Sequence, residues 1–279
     1  MKLSCVIPAH NEEDCLRLAV EKIAQALRGE GIAHEILIID DNSSDGTLSL
    51  CKQLAAEFPG VRYVRNQPPN GFGLAVRCGL EHYTGDAVAI LMADGSDDAA
   101  DLVAGYRKLQ EGFDAVFGSR FMRGGATVDY PLHKLLLNRL ANWFIQAVFQ
   151  ISYNDTTNAF KLYRREVIDG IQPILSHHFN LTVELPLKTI TRGFSYAVIP
   201  MRWYNRKSGV SKLRIKEMGS RYLFIVLYIW LEKQLSRGDY HRSRGQRPAR
   251  GIETAPIQDH FAREDSSPGV AHVADAKSK

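Results

Sequence analysis

No stretch of this 279-residue sequence approaches the roughly 20 apolar residues that crossing a bilayer requires. The longest candidate, residues 222–231, holds ten apolar or aromatic residues; it suits a membrane interface or a cap on the domain. Cysteine is scarce, and Cys5, Cys15, Cys51 and Cys78 lack metal-ligand spacing, so buried free thiols are expected. No secretory signal is visible, because Met1-Lys2-Leu3 runs straight into a strand-like segment; a cytoplasmic placement is expected, with peripheral contact to the cytoplasmic membrane face as a further option. No internal repeat occurs. Nor does one sign of charge dominate: 35 basic against 31 acidic residues leave a net charge of +4. A nucleic-acid-binding role is excluded, since the basic residues gather in one loop and a tail with no recognition helix or zinc pattern beside them.

What is present is a strand-then-helix rhythm over the first 120 residues. Residues 3–7 read as a strand, and Leu16, Ala19, Val20, Ile23, Ala24 and Leu27 form one helical face. Asn11, with Asp14 three positions on, is placed to cap that helix. Ile36-Leu37-Ile38-Ile39 is a continuously apolar strand suited to burial on both sides of a parallel sheet. Further strands are expected at 61–64, 87–92 and 115–118, with helices between them. The class is therefore α/β, an open parallel sheet with helices on both faces. In such sheets ligands bind beyond the carboxyl ends of the strands. Leu136, Leu140, Trp143 and Ala147 recur at helical spacing over 132–148, followed by a polar-to-strand segment at 155–164, a helix near 181–190 and a strand near 196–201. The expected organisation is one domain over 1–215, an apolar or amphipathic helix over 216–236 and a disordered tail over 237–279.

Five polar clusters follow strand positions. Pro8-Ala9-His10-Asn11-Glu12-Glu13 is either a turn with a helix cap or a loop beside a nucleotide base and diphosphate; His10 is too isolated to be called a metal ligand. Asp40-Asp41-Asn42-Ser43-Ser44-Asp45 packs three carboxylates at a strand end, where Asp41 suits a ribose or base and Asp45 suits either a ligand or the next helix start. Asp94-Gly95-Ser96-Asp97-Asp98 can hold Mg²⁺ or Mn²⁺ against a diphosphate, or begin a helix. Gly118-Ser119-Arg120 offers an arginine for phosphate or for a salt bridge. Arg202-Trp203-Tyr204-Asn205-Arg206-Lys207-Ser208-Gly209-Val210-Ser211-Lys212 is a cationic loop suited to phosphate.

Taken in order and spacing, these strings resemble the family 2 glycosyltransferases, most of all the dolichol- or polyprenyl-phosphate mannosyltransferases and glucosyltransferases, from Lys2 to about Lys216. The resemblance implies a GT-A fold, a mostly parallel central sheet flanked by helices, and inversion at the sugar's anomeric centre. It assigns Pro8, Ala9, Asn11, Glu12, Asp41, Asp45, Met92 and Ser119 to the nucleotide sugar. Asp94 and Asp97 fall to Mg²⁺ or Mn²⁺, and Asp94, Arg120, Arg206 and Lys212 to the chemistry. One departure stands out: Met92 occupies the first carboxylate position of the family's Asp-x-Asp metal motif. Asp155-Thr156-Thr157-Asn158-Ala159-Phe160-Lys161-Leu162-Tyr163 resembles a further family segment, and Glu184 lies near a position that faces the active site.

The resemblance implies a GDP- or UDP-hexose donor. A lipid-phosphate acceptor is already anionic at neutral pH and needs no base, whereas a polysaccharide, glycolipid or small-molecule hydroxyl needs one, for which Glu184 or a neighbour of Asp94 are the candidates. The basic stretch 202–221, seven Lys or Arg to one acid, followed by 222–231, favours polyprenyl phosphate. Met92 and the charged tail also leave room for a catalytically weak nucleotide-sugar-binding or partner-recruiting protein.

Overall fold

The computed structural model describes residues 1–204 and 215–241. Among the described residues seventeen elements follow one another: β1 (Leu3–Ala9), α1 (Leu16–Gly29), β2 (His34–Asp40), α2 (Thr47–Glu57), β3 (Val61–Arg65), α3 (Phe72–His82), β4 (Ala87–Ile90), α4 (Ala99–Gln110), β5 (Ala115–Ser119), β6 (Ala126–Val128), α5 (Leu132–Phe149), β7 (Lys161–Arg164), α6 (Arg165–Gly170), α7 (Leu181–Thr191), β8 (Tyr196–Pro200), β9 (Arg202–Tyr204) and α8 (Ile215–Leu235).

Seven strands form the main sheet in the order β3-β2-β1-β4-β7-β5-β8, and β6 pairs with β9 separately. Alternate residues of each strand feed opposite faces, because successive strand side chains point to opposite sides. Cys5, Ile7, Ile36 and Ile38 pack under α1, α2 and α4, while Val6, Leu37 and Ile39 pack under α3 and α7. The sheet is mostly parallel, as expected, and one strand departs: β7 runs antiparallel to both β4 and β5. After α5 the chain returns through 150–160 and enters β7 from the end where its neighbours finish, which forces the opposite direction.

Asn11 does not cap α1, which starts at Leu16 with no side-chain cap. A turn closed by Cys15 N–H on Glu12 O (3.2 Å) precedes that helix, and the Asn11 amide is engaged elsewhere. The glycine-rich start of α3 is explained by packing, since a Cβ on Gly73 would stand 2.6 Å from the Ser176 carbonyl. Of the tail expected from 237, residues 237–241 form turns, with the Arg192 guanidinium 5.1 Å from the Tyr240 ring; the remainder lies outside the described residues. No described helix is long and apolar enough to cross a membrane.

Candidate active site

The carboxyl ends of β1, β2 and β4 bring together three of the sequence clusters. The loops after β1 and β2 are tied by a ladder of short polar contacts. Asn11 N–H donates to Ser43 Oγ (3.0 Å), Ser44 N–H donates to Asn11 Oδ1 (2.8 Å), Glu12 N–H donates to Thr47 Oγ1 (2.9 Å), and Gly46 N–H donates to Glu13 Oε2 (2.6 Å). Both turns use a left-handed residue, Asn11 at φ 52° and Asn42 at φ 56°, and asparagine tolerates that region better than other non-glycine residues. Asp41 is nearly buried; its Oδ1 accepts from Asn66 Nδ2 and its Oδ2 from Gly71 N–H, each at 2.8 Å. Each oxygen retains a second lone pair for a ligand. Asp45 Oδ1 accepts Thr47 N–H (3.0 Å) and so starts α2. Partial burial raises its carboxyl, but the Thr47 and Glu13 hydrogen bonds outweigh that and hold it below its ordinary value.

At the end of β4, the two expected metal carboxylates part company. Asp94 Oδ1 accepts Ser96 N–H (3.1 Å) at a turn through Gly95, whose φ is +69°. Asp97 turns back instead, and its Oδ2 accepts Met92 N–H (2.8 Å). Burial, with Asp94 and Asp101 adding, pushes Asp97 up to about 7. Asp98 caps α4 through Ala100 N–H (2.9 Å). Among the described residues no group of three or more His, Cys, Asp or Glu gathers to enclose a metal. Tyr204 N–H donates to Ser96 O (3.3 Å), so β9 crosses the mouth of this loop; Arg206 and Lys212 lie beyond it, outside the described residues.

Three sequence assignments change. Arg120 is almost wholly buried and its fork closes on Asp155, Nε to Oδ2 at 2.8 Å and NH2 to Oδ1 at 2.7 Å, while its own N–H donates to Oδ2 at 2.9 Å. That guanidinium pins the 154–158 loop to β5 rather than waiting for phosphate. Beside it Ser119 is buried, donating to Asn154 Oδ1 (2.6 Å), and serves the same junction. Glu184 is no surface base: it is fully buried, accepts Leu175 N–H (2.8 Å) and Ser176 N–H (2.7 Å), and pairs with Lys188 Nζ (2.7 Å). Three donors on one carboxylate fix the 173–178 loop and leave it nothing to do in proton transfer.

Sequence reasoning missed the interior supports of the 154–160 loop. Asn142 Oδ1 accepts from Thr156 N–H (2.6 Å) and Thr156 Oγ1 (2.8 Å), and Asn138 Nδ2 donates to Thr157 Oγ1 (2.8 Å). The clue was two asparagines at i, i+4 on a helix whose other stripe is apolar. Lys161 is buried, its Nζ donating to the Thr156 (3.1 Å) and Asn158 carbonyls, and burial pushes it down to about 7 against the pull of Asp155.

Residues 4–171, more than half of the chain, match the profile described as Glycosyl transferase family 2. The chain belongs to this family. It is a glycosyltransferase, and its α/β domain is a GT-A-like nucleotide-sugar transferase fold. Among curated proteins it is 29% identical over 214 residues to polyprenol monophosphomannose synthase of Mycolicibacterium smegmatis, covering 75% of this chain and 79% of that one. It is 28% identical over 221 residues to dolichol-phosphate mannosyltransferase of Pyrococcus furiosus, covering 77% of this chain and 60% of that longer protein. Among solved structures it resembles glucosyl-3-phosphoglycerate synthase of Mycobacterium tuberculosis in complex with Mn²⁺, UDP and phosphoglyceric acid, with a TM-score of 0.61, 20% identity, and coverage of 83% of this chain and 78% of that one.

Proposed function

We propose that this family 2 enzyme transfers a hexose, mannose or glucose, from a GDP- or UDP-linked donor to polyprenyl phosphate, with inversion at the anomeric carbon. The observation that carries the acceptor is the burial of Glu184 in its ion pair with Lys188. With that carboxylate removed from the list of bases, an acceptor oxygen that arrives already anionic suits the site best, and a lipid phosphate is such an acceptor. The names of the two sequence relatives point the same way.

Asp41 and the Asn11–Ser43–Ser44 ladder would hold the nucleoside in place, their hydrogen bonds being set before the donor arrives. Asp94 would hold Mg²⁺ or Mn²⁺; such ions commonly take one or two carboxylates and complete their shell with substrate phosphates and water, so the single carboxylate left by Met92 and the inward-turned Asp97 fits that role. The ion supplies positive charge to the diphosphate leaving group. Arg206 and Lys212 are assigned to the same developing charge, and the Arg120–Asp155 fork keeps the facing loop rigid.

A second reading, transfer to a hydroxyl of a small molecule, glycolipid or polysaccharide, is favoured by the likeness to a synthase solved with phosphoglyceric acid. Here the hydroxyl proton would pass to a carboxylate beside Asp94, and Asp97 is the one whose burial lifts it towards neutrality. The deciding experiment offers UDP- and GDP-hexoses with Mg²⁺ or Mn²⁺ to polyprenyl phosphate, to phosphoglycerate, and to neither. Product on the lipid phosphate alone supports the first reading, and product on phosphoglycerate alone replaces it with the second. Asp94→Ala should lower turnover on the order of 10²–10³-fold with the melting transition unmoved; full activity in that variant would remove Asp94 from the metal role.

A further inference from the structure

Among the described residues no side chain caps the start of helix α3. A helix leaves its first amides without intrahelical partners, and here two of them are met from distant parts of the chain. Gly71 N–H donates to Asp41 Oδ2 (2.8 Å), and Leu74 N–H donates to the His177 carbonyl (3.2 Å). The second contact explains both glycines of the Gly71-Phe72-Gly73 turn. A Cβ on Gly71 would collide with the His177 carbonyl, and one on Gly73 would stand 2.6 Å from the Ser176 carbonyl, so only glycine lets the two backbones meet. Between the glycines, Phe72 stacks on Phe179 with ring centroids 4.5 Å apart.

Residues 175–179 are in turn held from behind. Glu184 of α7 accepts Leu175 N–H (2.8 Å) and Ser176 N–H (2.7 Å) on separate oxygens, and Lys188 Nζ donates both to Glu184 and to the Pro173 carbonyl. From the side of α8, the Tyr222 hydroxyl donates to the Phe179 carbonyl (3.1 Å). Glu184 and Lys188 are fully buried side chains. A buried pair of this kind is often matched in stability by apolar residues of similar volume. What apolar residues cannot supply is an acceptor for two backbone N–H groups. The contacts therefore run from the ion pair to residues 175–179, from these to the first turn of α3, and from that turn to the carboxylate of Asp41.

We propose that Glu184 and Lys188 are positioning residues for the nucleotide site: through residues 175–179 they seat the first turn of α3 and so aim Asp41 at the donor. This deepens the transferase reading and rests on it, because that reading assigns Asp41 to the nucleoside.

The test is titration of the full chain with GDP and with UDP in the presence of Mn²⁺, read beside thermal melts. Glu184→Gln leaves one acceptor oxygen for two N–H donors and strands the Lys188 charge; affinity should fall on the order of tenfold and the melt should drop. Glu184→Leu/Lys188→Met removes the charge together with the acceptor, so the melt should return towards the parent while affinity stays low. This double variant carries the test if Glu184→Gln does not fold. Leu27→Ala, on the opposite face of the sheet, should lower the melt with affinity unchanged. Exchange of the Gly71 amide relative to that of Ile38 should quicken in the two Glu184 variants alone. Affinity that returns with the melt in the double variant, or that falls as far in Leu27→Ala, overturns the proposal. Normal affinity in Asp41→Asn, or no binding by the wild type, strikes the donor reading instead; Gly71 exchange, read without nucleotide, still decides the positioning.

Discussion

Helices α1 and α5 both carry an apolar stripe at helical spacing, and the fold turns them in opposite directions. In α1, Leu16, Val20, Ile23, Ala24 and Leu27 all lie in the core. In α5 the stripe faces out, and Asn142, Ile145 and Phe149 face in. The difference belongs to what each helix packs on. Helix α1 covers a sheet of continuous Val, Ile and Leu, which offers only apolar contacts. Helix α5 covers the 154–160 loop, whose Thr156 N–H and Thr156 and Thr157 hydroxyls find their partners on that helix. The part of the molecule around α1 is therefore held by hydrocarbon, and the part under α5 by a buried polar network.

That contrast is open to direct attack. The largest effect should come from Asp155→Ala, which strands the buried Arg120 charge that two guanidinium hydrogen bonds now satisfy, together with the Arg120 backbone N–H. Removing one partner of such a pair costs about 3–5 kcal/mol, readable as a shift in denaturant midpoint; a loss under about 1 kcal/mol would mean the network is wet. In the part around α1 the matching loss is Leu27→Ala. Leu27 is fully buried, and its truncation should cost about 2–5 kcal/mol with the pH dependence of stability unchanged. A pH dependence that shifted with Leu27 would blur the two halves into one.

Lys161 sharpens the comparison further, because its charge state is tied to folding. Burial lowers its folded pKa from an ordinary 10.5 to about 7, so between those values the unfolded chain binds the extra proton. Stability contributed by the neutral amine is then present at high pH and lost as pH falls through about 7, with a slope of at most about 1.4 kcal/mol per pH unit between. The difference in unfolding free energy between wild type and Lys161→Met should therefore vary with pH over this window and level off below it. A difference that is flat throughout would show that Lys161 stays charged inside the network.

Much of the N-terminal part, through β5, was legible from residue order alone. Continuous apolar strands, acids at their carboxyl ends and one-sided helices agree with each other there, so local pattern and tertiary packing point to one answer. The part from Ser119 onward was harder for a physical reason. β7 enters against the direction of its neighbours, a fact of chain path that periodicity does not carry. Arg120 and Glu184 read as available groups, since a sequence shows a charge but not the Asp155 or Lys188 that will neutralise it. Met92 was visible as a departure, yet its backbone N–H as the anchor of Asp97 was not.

The smallest effect is the most telling one for the outward stripe. Leu140 is 62% exposed, so Leu140→Ala removes little buried surface and opens no cavity. Exposed substitutions of this kind fall within about 0.5 kcal/mol of the parent, against the several kcal/mol expected for the same substitution at Leu27. Thermal melts of the two variants side by side read the comparison directly. If Leu140→Ala destabilised the chain as much as Leu27→Ala, the stripe would have to be buried in solution by the protein itself. It would then no longer be a surface for anything else.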